Sequence, residues 1–270
     1  MIQTIEIHTI AESTQLILDQ KYNADIDRLR SPYLFRGMPD TSYHLTTSLR
    51  RNCANKQKIL EGLILSNFTK YAIREDPSLE KSIWRQMIVG QHFGLPTRLL
   101  DWSHSSLIAL HFATSETDFA RTDKRDGIVW RIDTTELAGL LPKRYREALD
   151  KGKTSTFTEP IFNSVVSSTD QYDQDMGDRS MVIIEPPSVD QRIINQYSYF
   201  SIIPHEMTDV EGFLNAYTQN TVKYVIRKEV RWELRDLLDQ FNVSERIVYP
   251  GLDGLSMWIA RHYYVKDNPR

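Results

Sequence analysis

The chain has 270 residues, 40% of them hydrophobic and 26% charged, the balance of an ordinary folded protein large enough to bury most of its apolar surface. Its 33 basic and 36 acidic residues leave a net charge of −3, which excludes bulk electrostatics as a means of gripping nucleic acid. Cys53 is the lone cysteine, so no intramolecular disulfide forms and a reducing compartment is expected.

The opening Met1-Ile2-Gln3-Thr4-Ile5-Glu6 has no basic stretch followed by an apolar one, so no signal peptide is expected. Apolar runs fall far short of the roughly 20 residues that cross a bilayer. A cytoplasmic location without membrane contact is the expectation. Residues 11–30 read as an amphipathic helix with Leu16, Ile17, Ile26 and Leu29 on its apolar side, ended by Ser31-Pro32. A short strand, Tyr33-Leu34-Phe35-Arg36-Gly37, then closes at Met38-Pro39-Asp40. Leu45 to Leu49 reads as a second extended stretch.

Residues 55–73 show helical spacing at Ile59, Leu63, Phe68 and Ala72, and a further helix runs from about Ser78 into Gln91-His92-Phe93-Gly94. Gly94 and Pro96 break it, so Leu95 to Trp102 is expected to be irregular. Residues 105–119 resume a helix. Strands are expected at 127–132, 181–185, 199–203 and 222–226, with helices at 229–240 and 255–264. The polar stretch 150–180 is either an ordered insertion or a mobile loop. Helices lead and most strands follow, which predicts a single α+β domain rather than an alternating parallel sheet.

Metal chemistry has little to start from. Seven histidines form no His-Glu-x-x-His and there is no cysteine pair; only a His104/His111 pair on one helix suggests itself, and no metal is expected. No Walker loop, dinucleotide fingerprint or Gly-x-Ser-x-Gly elbow is present. Three polar stretches stand among aromatics instead. In Phe35-Arg36-Gly37, an arginine at a strand end suits bidentate contact with phosphate while glycine admits the backbone; a structural ion pair beside a turn is the plainer reading. In Gln91 to Trp102, the residues Gln91, His92, Arg98 and Asp101 are positioned for an inward hydrogen-bonded network, with an Arg98–Asp101 ion pair holding the loop or, alternatively, contacting substrate. In Arg192 to Phe200, Gln196 precedes a strand, where it either orients a ribose hydroxyl or faces solvent.

Together these stretches resemble the FRG-domain family. The signature is Phe35-Arg36-Gly37; the downstream block Gln91 to Trp102 stands nearly complete and is followed by Ala109-Leu110-His111-Phe112-Ala113; the late pattern matches Arg192, Ile193, Gln196 and Phe200. The resemblance covers about residues 31–205, with Tyr249 to Leu255 a possible terminal element, so that 206–270 is expected to add a strand and helices to one domain spanning 1–270. It implies, by analogy, an ADP-ribosyltransferase-like split β-sheet core with N-terminal and inserted helices. NAD+ would be the co-substrate. Arg36 would clamp the pyrophosphate and Gly37 flank it, Tyr33 or Phe35 (or Tyr43) would stack on nicotinamide, and Thr46-Thr47-Ser48 would brace the pocket. Gln91, His92, Arg98 and Asp101 complete the expected binding set, with Arg36 and Gln196 catalytic. Where that fold places a late glutamate this chain has Gln196, and Glu185 and Glu206 are the nearest carboxylates. The family's setting implies an intracellular toxin of phage defence, paired with an antitoxin and a chaperone-like protein, that modifies RNA or protein. A non-catalytic nucleotide- or RNA-binding module and a nuclease built on His92, Arg98 and Asp101 are the alternatives.

Overall fold

The computed structural model describes residues 1–266; residues 267–270, the end of the expected domain, lie outside it. The elements in chain order are β1 (Gln3–Ile7), α1 (Ile10–Ile17), β2 (Tyr22–Asn23), β3 (Arg28–Leu29), β4 (Tyr33–Met38), α2 (Ser48–Cys53), α3 (Gln57–Ala72), α4 (Ile83–His92), β5 (Leu99–Ser103), α5 (Ser106–Thr114) and β6 (Gly127–Asp133). There follow α6 (Thr134–Gly139), α7 (Lys143–Gly152), β7 (Phe157–Thr158), α8 (Glu159–Val165), α9 (Thr169–Met176), β8 (Val182–Glu185), α10 (Gln191–Asn195) and β9 (Ser198–Ile202). The chain ends through α11 (Val210–Tyr217), β10 (Val222–Ile226), α12 (Arg231–Gln240), α13 (Glu245–Val248) and α14 (Leu252–His262). Eight strands form one mixed sheet in the order β1-β10-β6-β4-β5-β9-β8-β7. Among the described residues, only β1–β10 and β7–β8 are parallel. The α+β expectation therefore holds in its coarse form, as helices around a large mixed sheet.

The sheet is joined weakly in its middle. β4 pairs with β6 over six residues, Tyr33 to Met38 against Asp133 to Ile128, but meets β5 through Phe35 and Ser103 alone. Beyond that bridge the two strands part, and a cleft opens between them. Alternation along the strands feeds two faces. Tyr33, Phe35, Val129, Val222, Tyr224 and Ile226 pack against α1, α5 and α12 through Leu16, Ala109, Leu110, Ala113 and Leu234. Leu34, Leu100, Trp102, Ile128, Trp130 and Ile132 pack against α6 and α11 through Leu137, Phe213 and Leu214. A third core sits on the β5–β9–β8 wing, where Leu99, Val182, Ile184 and Phe200 meet Trp84, Tyr145, Phe162 and Tyr172.

Helix α5 lies close enough to β4 and β6 that side chains have no room. A Cβ on Gly37 would stand 1.8 Å from the Ala109 carbonyl oxygen, and one on Gly127 would stand 2.2 Å from that of Ala113. Gly37 thus admits the close approach of α5, which a side chain at this position would block.

Several expected elements differ. Residues 11–30 are not one helix: α1 stops at Ile17, β2 and β3 form a small hairpin, and Ile26 and Leu29 are exposed. Asn23 Oδ1 accepts from the Asp25 amide (3.0 Å) and Asp27 takes a φ of 50°, turn chemistry that outweighs helical spacing. Leu45 to Leu49 is not a strand, because Thr47 caps α2 by accepting from the Arg50 amide. Leu99–Ser103 is a strand rather than an irregular segment, paired along its length with β9. The helix expected over 105–119 ends at Thr114. The stretch 150–180 is ordered as the end of α7 followed by β7, α8 and α9.

Candidate ligand cleft

The opening between β4 and β5 is a cavity of about 290 Å3. β4 contributes Phe35, Arg36 and Gly37; β5 contributes Asp101, Trp102 and Ser103; Gln91, Phe112, Arg192, Gln196 and Ser198 complete the wall. Two guanidiniums therefore face one carboxylate, a local charge of opposite sign to that of the chain. Arg36 Nη1 donates to the Asp101 carbonyl oxygen (2.7 Å) and to Asp101 Oδ2 (3.3 Å). That carbonyl is free to accept because β5 has parted from β4. Arg36 Nε is buried with no hydrogen-bond partner, so among the described residues the guanidinium is only partly used. The Asp101 side chain is 55% exposed.

A relay of polar residues sets Asp101. The Thr97 amide donates to Ser48 Oγ (3.1 Å), Thr97 Oγ1 donates to Gln91 Oε1 (2.7 Å), and Gln91 Nε2 donates to Asp101 Oδ2 (3.1 Å). Ser48 thus braces the cleft at a distance, and Thr46 and Thr47 do not line it. His92 sits next to Gln91 but points elsewhere, donating from Nε2 to the Asp190 carboxylate. Asp190 caps α10 by accepting from the Ile193 amide (3.0 Å). Burial alone would raise the Asp190 carboxyl, but the Ile193 amide and the His92 ring hold it below the usual carboxylate range. His92 therefore acts on the cleft through α10, which carries Arg192 and leads into Gln196.

The far wall, Arg192 and Gln196, is backed by the C-terminal region. Arg192 lies 5.1 Å above the Tyr249 ring, a cation–π contact. Gln196 Nε2 donates to the Val248 carbonyl (3.1 Å), and its own backbone carbonyl accepts from Ser103 Oγ (2.7 Å). Its Oε1 accepts no hydrogen bond among the described residues. Tyr197, which follows, has a φ of 48° and a 60% exposed side chain, strained backbone of the kind that gathers at ligand sites. The α13 segment bearing Val248 and Tyr249 is fixed by a buried cluster: Arg235 and Arg261 both donate to Glu245, and Arg261 Nη2 donates to Asp239 Oδ1 (2.6 Å). Arg235 Nη1 also meets His111 Nδ1 at 2.9 Å. Since arginine can only donate, His111 accepts, and burial with the charges of Arg235 and Arg261 pushes its pKa well below the ordinary value.

Like Thr46, Thr47, Ser48 and His92, the expected binding residues Arg98 and Tyr33 do not line the cleft. Arg98 does not pair with Asp101. It is 2% exposed, donates from Nε to Glu61 Oε1 (2.7 Å) and from Nη2 to Glu61 Oε2, and donates from Nη1 to Asp173 Oδ1 (2.7 Å). Arg98 lies in the bend just before β5 with its side chain in the core, whereas Asp101, on β5, faces the cleft. His205 joins this cluster, with Nε2 3.2 Å from Glu61 Oε2. Tyr33 is buried with the Arg131 guanidinium 4.2 Å over its ring, so it is not placed to stack on a ligand in this cavity. Tyr43 is also absent from the wall. The late carboxylates stand apart as well: Glu185 neighbours Tyr199, whose hydroxyl is pushed up to about 12 by burial and by that carboxylate, and Glu206 faces Lys58 on the surface. Arg192, Phe112 and Tyr249 were not singled out as site residues from sequence. Arg192 was within reach of that reading, since it stands four residues before Gln196 and so shares its face of the α10 turn.

The FRG domain family model matches residues 31–122, the stretch that runs from β4 through α5. No curated protein and no solved structure matches the chain.

Proposed function

We propose, from an FRG domain whose two diverging strands open a cleft with two arginines, that the cleft takes NAD+ and that the protein transfers ADP-ribose. The observation that carries this reading is the convergence of Arg36, Arg192 and Asp101 on one cavity with an aromatic wall. Arginine is the residue suited to bidentate contact with phosphate oxygens. The orphaned buried Nε of Arg36 is a donor awaiting an acceptor, and a pyrophosphate oxygen is a strong one. Ligand cavities run from about 300 to 1,000 Å3, so this one suits one end of the dinucleotide, with the rest along the exposed Arg192 side.

In this mechanism Arg36 and Arg192 neutralise the pyrophosphate, and Phe112 offers a face for nicotinamide. The bond between the ribose anomeric carbon and nicotinamide breaks, its electron pair leaving on the nicotinamide nitrogen. The acceptor's nucleophile forms the new bond to that carbon, and its proton passes to the Asp101 carboxylate. Asp101 thus fills the place of the missing late glutamate: its negative charge faces the positive charge that develops on the ribose, and Gln91 and Arg36 fix its orientation. Gln196 Oε1 remains available to a ribose hydroxyl. On this reading the split between β4 and β5 would correspond to the split sheet of ADP-ribosyltransferases. The setting that goes with this reading is an intracellular toxin of phage defence, modifying RNA or protein and restrained by an antitoxin with a chaperone-like protein.

The test is incubation with NAD+ labelled in the adenosine half, with RNA and cell protein as acceptors. Label transfer and nicotinamide release are expected, lost with Arg36→Ala and cut at least about tenfold with Asp101→Asn. Absence of both products from the wild-type chain rejects the reading. A second reading, a nucleotide-binding module without turnover, is favoured by one observation: the sole carboxylate of the wall is already engaged by Arg36 and Gln91. It predicts NAD+ binding by calorimetry with no nicotinamide released. The nuclease alternative has no such support, because His92 and Arg98 do not reach the cavity.

A further inference from the structure

The outward face of α3 is apolar and uncovered. Ile59, Leu63 and Tyr71 are 73%, 57% and 75% exposed, and at about 100° per residue they fall, with Asn67, within roughly one third of the helix circumference. The packing is done by the opposite face, through Glu61 and Leu65. Beside the stripe runs an open groove of about 620 Å3, walled by Ile64, Phe68 and Tyr71 on one side and Leu95 and Pro96 on the other. A contiguous exposed apolar surface rimmed by charge marks an interaction site.

The charge says which kind. From residue 51 to residue 75 the cations are Arg51, Lys56, Lys58, Lys70 and Arg74, all exposed, against two acids, Glu61, buried against Arg98, and Glu75, exposed at the end of the stretch. The chain as a whole has a net charge of −3, so this is a local cationic rim around an apolar stripe. Lys58 alone among them has a carboxylate near it, Glu206 at 3.7 Å with both side chains more than 60% exposed, a pair too open to neutralise the rim.

We infer that this face docks an acidic amphipathic helix of a partner protein, its apolar side in the groove and its carboxylates against the rim. The alternatives fit worse. A second copy would set five cations against five. Nucleic acid has no use for Ile59 and Leu63 at the centre of the patch. A flat lipid surface leaves the groove unfilled. The groove wall Leu95–Pro96 leads directly into Thr97, whose hydroxyl holds Gln91, so a partner seated here touches the segment that sets Asp101. The inference does not depend on what the cleft binds.

The test uses the full chain and labelled synthetic helices with a leucine stripe, one flanked by glutamates, one by lysines, and one with the glutamate sequence scrambled. Fluorescence anisotropy should show binding of the glutamate-flanked helix alone, weakening as salt rises and falling at least about tenfold with Leu63→Glu or Tyr71→Glu. Both positions are exposed, so unchanged circular dichroism is expected for the variants. No binding of the glutamate helix, or binding indifferent to Leu63→Glu, overturns the inference. So does preferential binding of the lysine helix or of vesicles containing phosphatidylserine, or self-association abolished by Leu63→Glu.

Discussion

Arg36 stands on β4 and Arg98 just before the neighbouring β5, and both were expected to meet a ligand, yet the fold treats them in opposite ways. Arg98 is shut inside with Glu61 and Asp173, every nitrogen donating to a carboxylate. Arg36 gives one nitrogen to Asp101 and keeps a buried Nε without a partner beside an open cavity. The difference lies in what the neighbouring chain supplies. β5 pairs fully with β9 at Arg98's end and leaves no room for a guest, whereas β4 and β5 part at Arg36. A guanidinium surrounded by internal carboxylates is architecture; one left with unspent donors at a split in the sheet is a receptor for something the chain does not contain.

The largest effect that separates the two is on stability. Arg98→Leu leaves Glu61 and Asp173 in the core with only His205 beside Glu61, and breaking a buried pair this way costs about 3–5 kcal/mol. Urea denaturation should show that loss, or no folded protein; a change below about 1 kcal/mol would mean that Arg98 is not the centre of the cluster.

The same cluster makes the fold sensitive to acid. Burial works to raise the Glu61 carboxyl, but its bonds with His205 and Arg98 outweigh burial and hold it below the ordinary 4.5. The folded state therefore takes up a proton less readily than the unfolded one. The Glu61 contribution is full above about pH 4.5 and is lost as the pH falls through the lower, folded value. Denaturation midpoints measured from pH 7 to 3 should fall steeply for the wild type. Glu61→Gln should begin lower at pH 7 and decline less; parallel curves for the two proteins would remove Glu61 from the account.

That cluster is also where the sequence was least legible. Ile59, Leu63, Phe68 and Ala72 look like one helical face, yet Ile59 and Leu63 belong to the outward stripe and the buried positions are Glu61 and Leu65. Spacing alone could not choose, because the deciding residue, Glu61, is charged and its partner Arg98 lies 37 positions away. The strands at 127–132 and 222–226 were legible, since runs such as Ile128-Val129-Trp130 fit a strand and little else. β5 was hidden by Gly94 and Pro96, which end α4 but leave the chain free to extend again. At the site, Arg36, Gln91, Asp101 and Gln196 were legible as polar residues among aromatics, and the fold brings them together. The partners of Arg98 and His92, and the role of Tyr249, depend on segments joined only by tertiary structure.

A smaller effect tests the packing that holds β4 in place. Gly37→Ala would drive a methyl into the Ala109 carbonyl oxygen, and the backbone of α5 has to move. Overpacking of this sort costs about 1–3 kcal/mol, read as a lower thermal midpoint, and α5 also carries Phe112 of the cleft wall. If Gly37 instead serves only to admit a ligand, Gly37→Ala will leave stability alone and weaken binding only.

The smallest stability effect is expected at Arg36 itself, and its smallness is the point. Its partner Asp101 is half exposed, and pairs of this kind contribute about 0–1 kcal/mol. In Arg36→Ala, water in the open cavity takes over the Asp101 carbonyl, so no buried acceptor is left unpaired. Denaturation should place this variant within about 1 kcal/mol of the wild type, while calorimetry with ADP-ribose loses at least a tenfold in affinity. Arg36→Lys separates charge from shape: a point charge restores part of the attraction to an anion but not the forked contact, so affinity should fall between wild type and alanine. Should Arg36→Ala prove as destabilising as Arg98→Leu, the two arginines do the same structural job, and the cleft loses its claim to be a receptor.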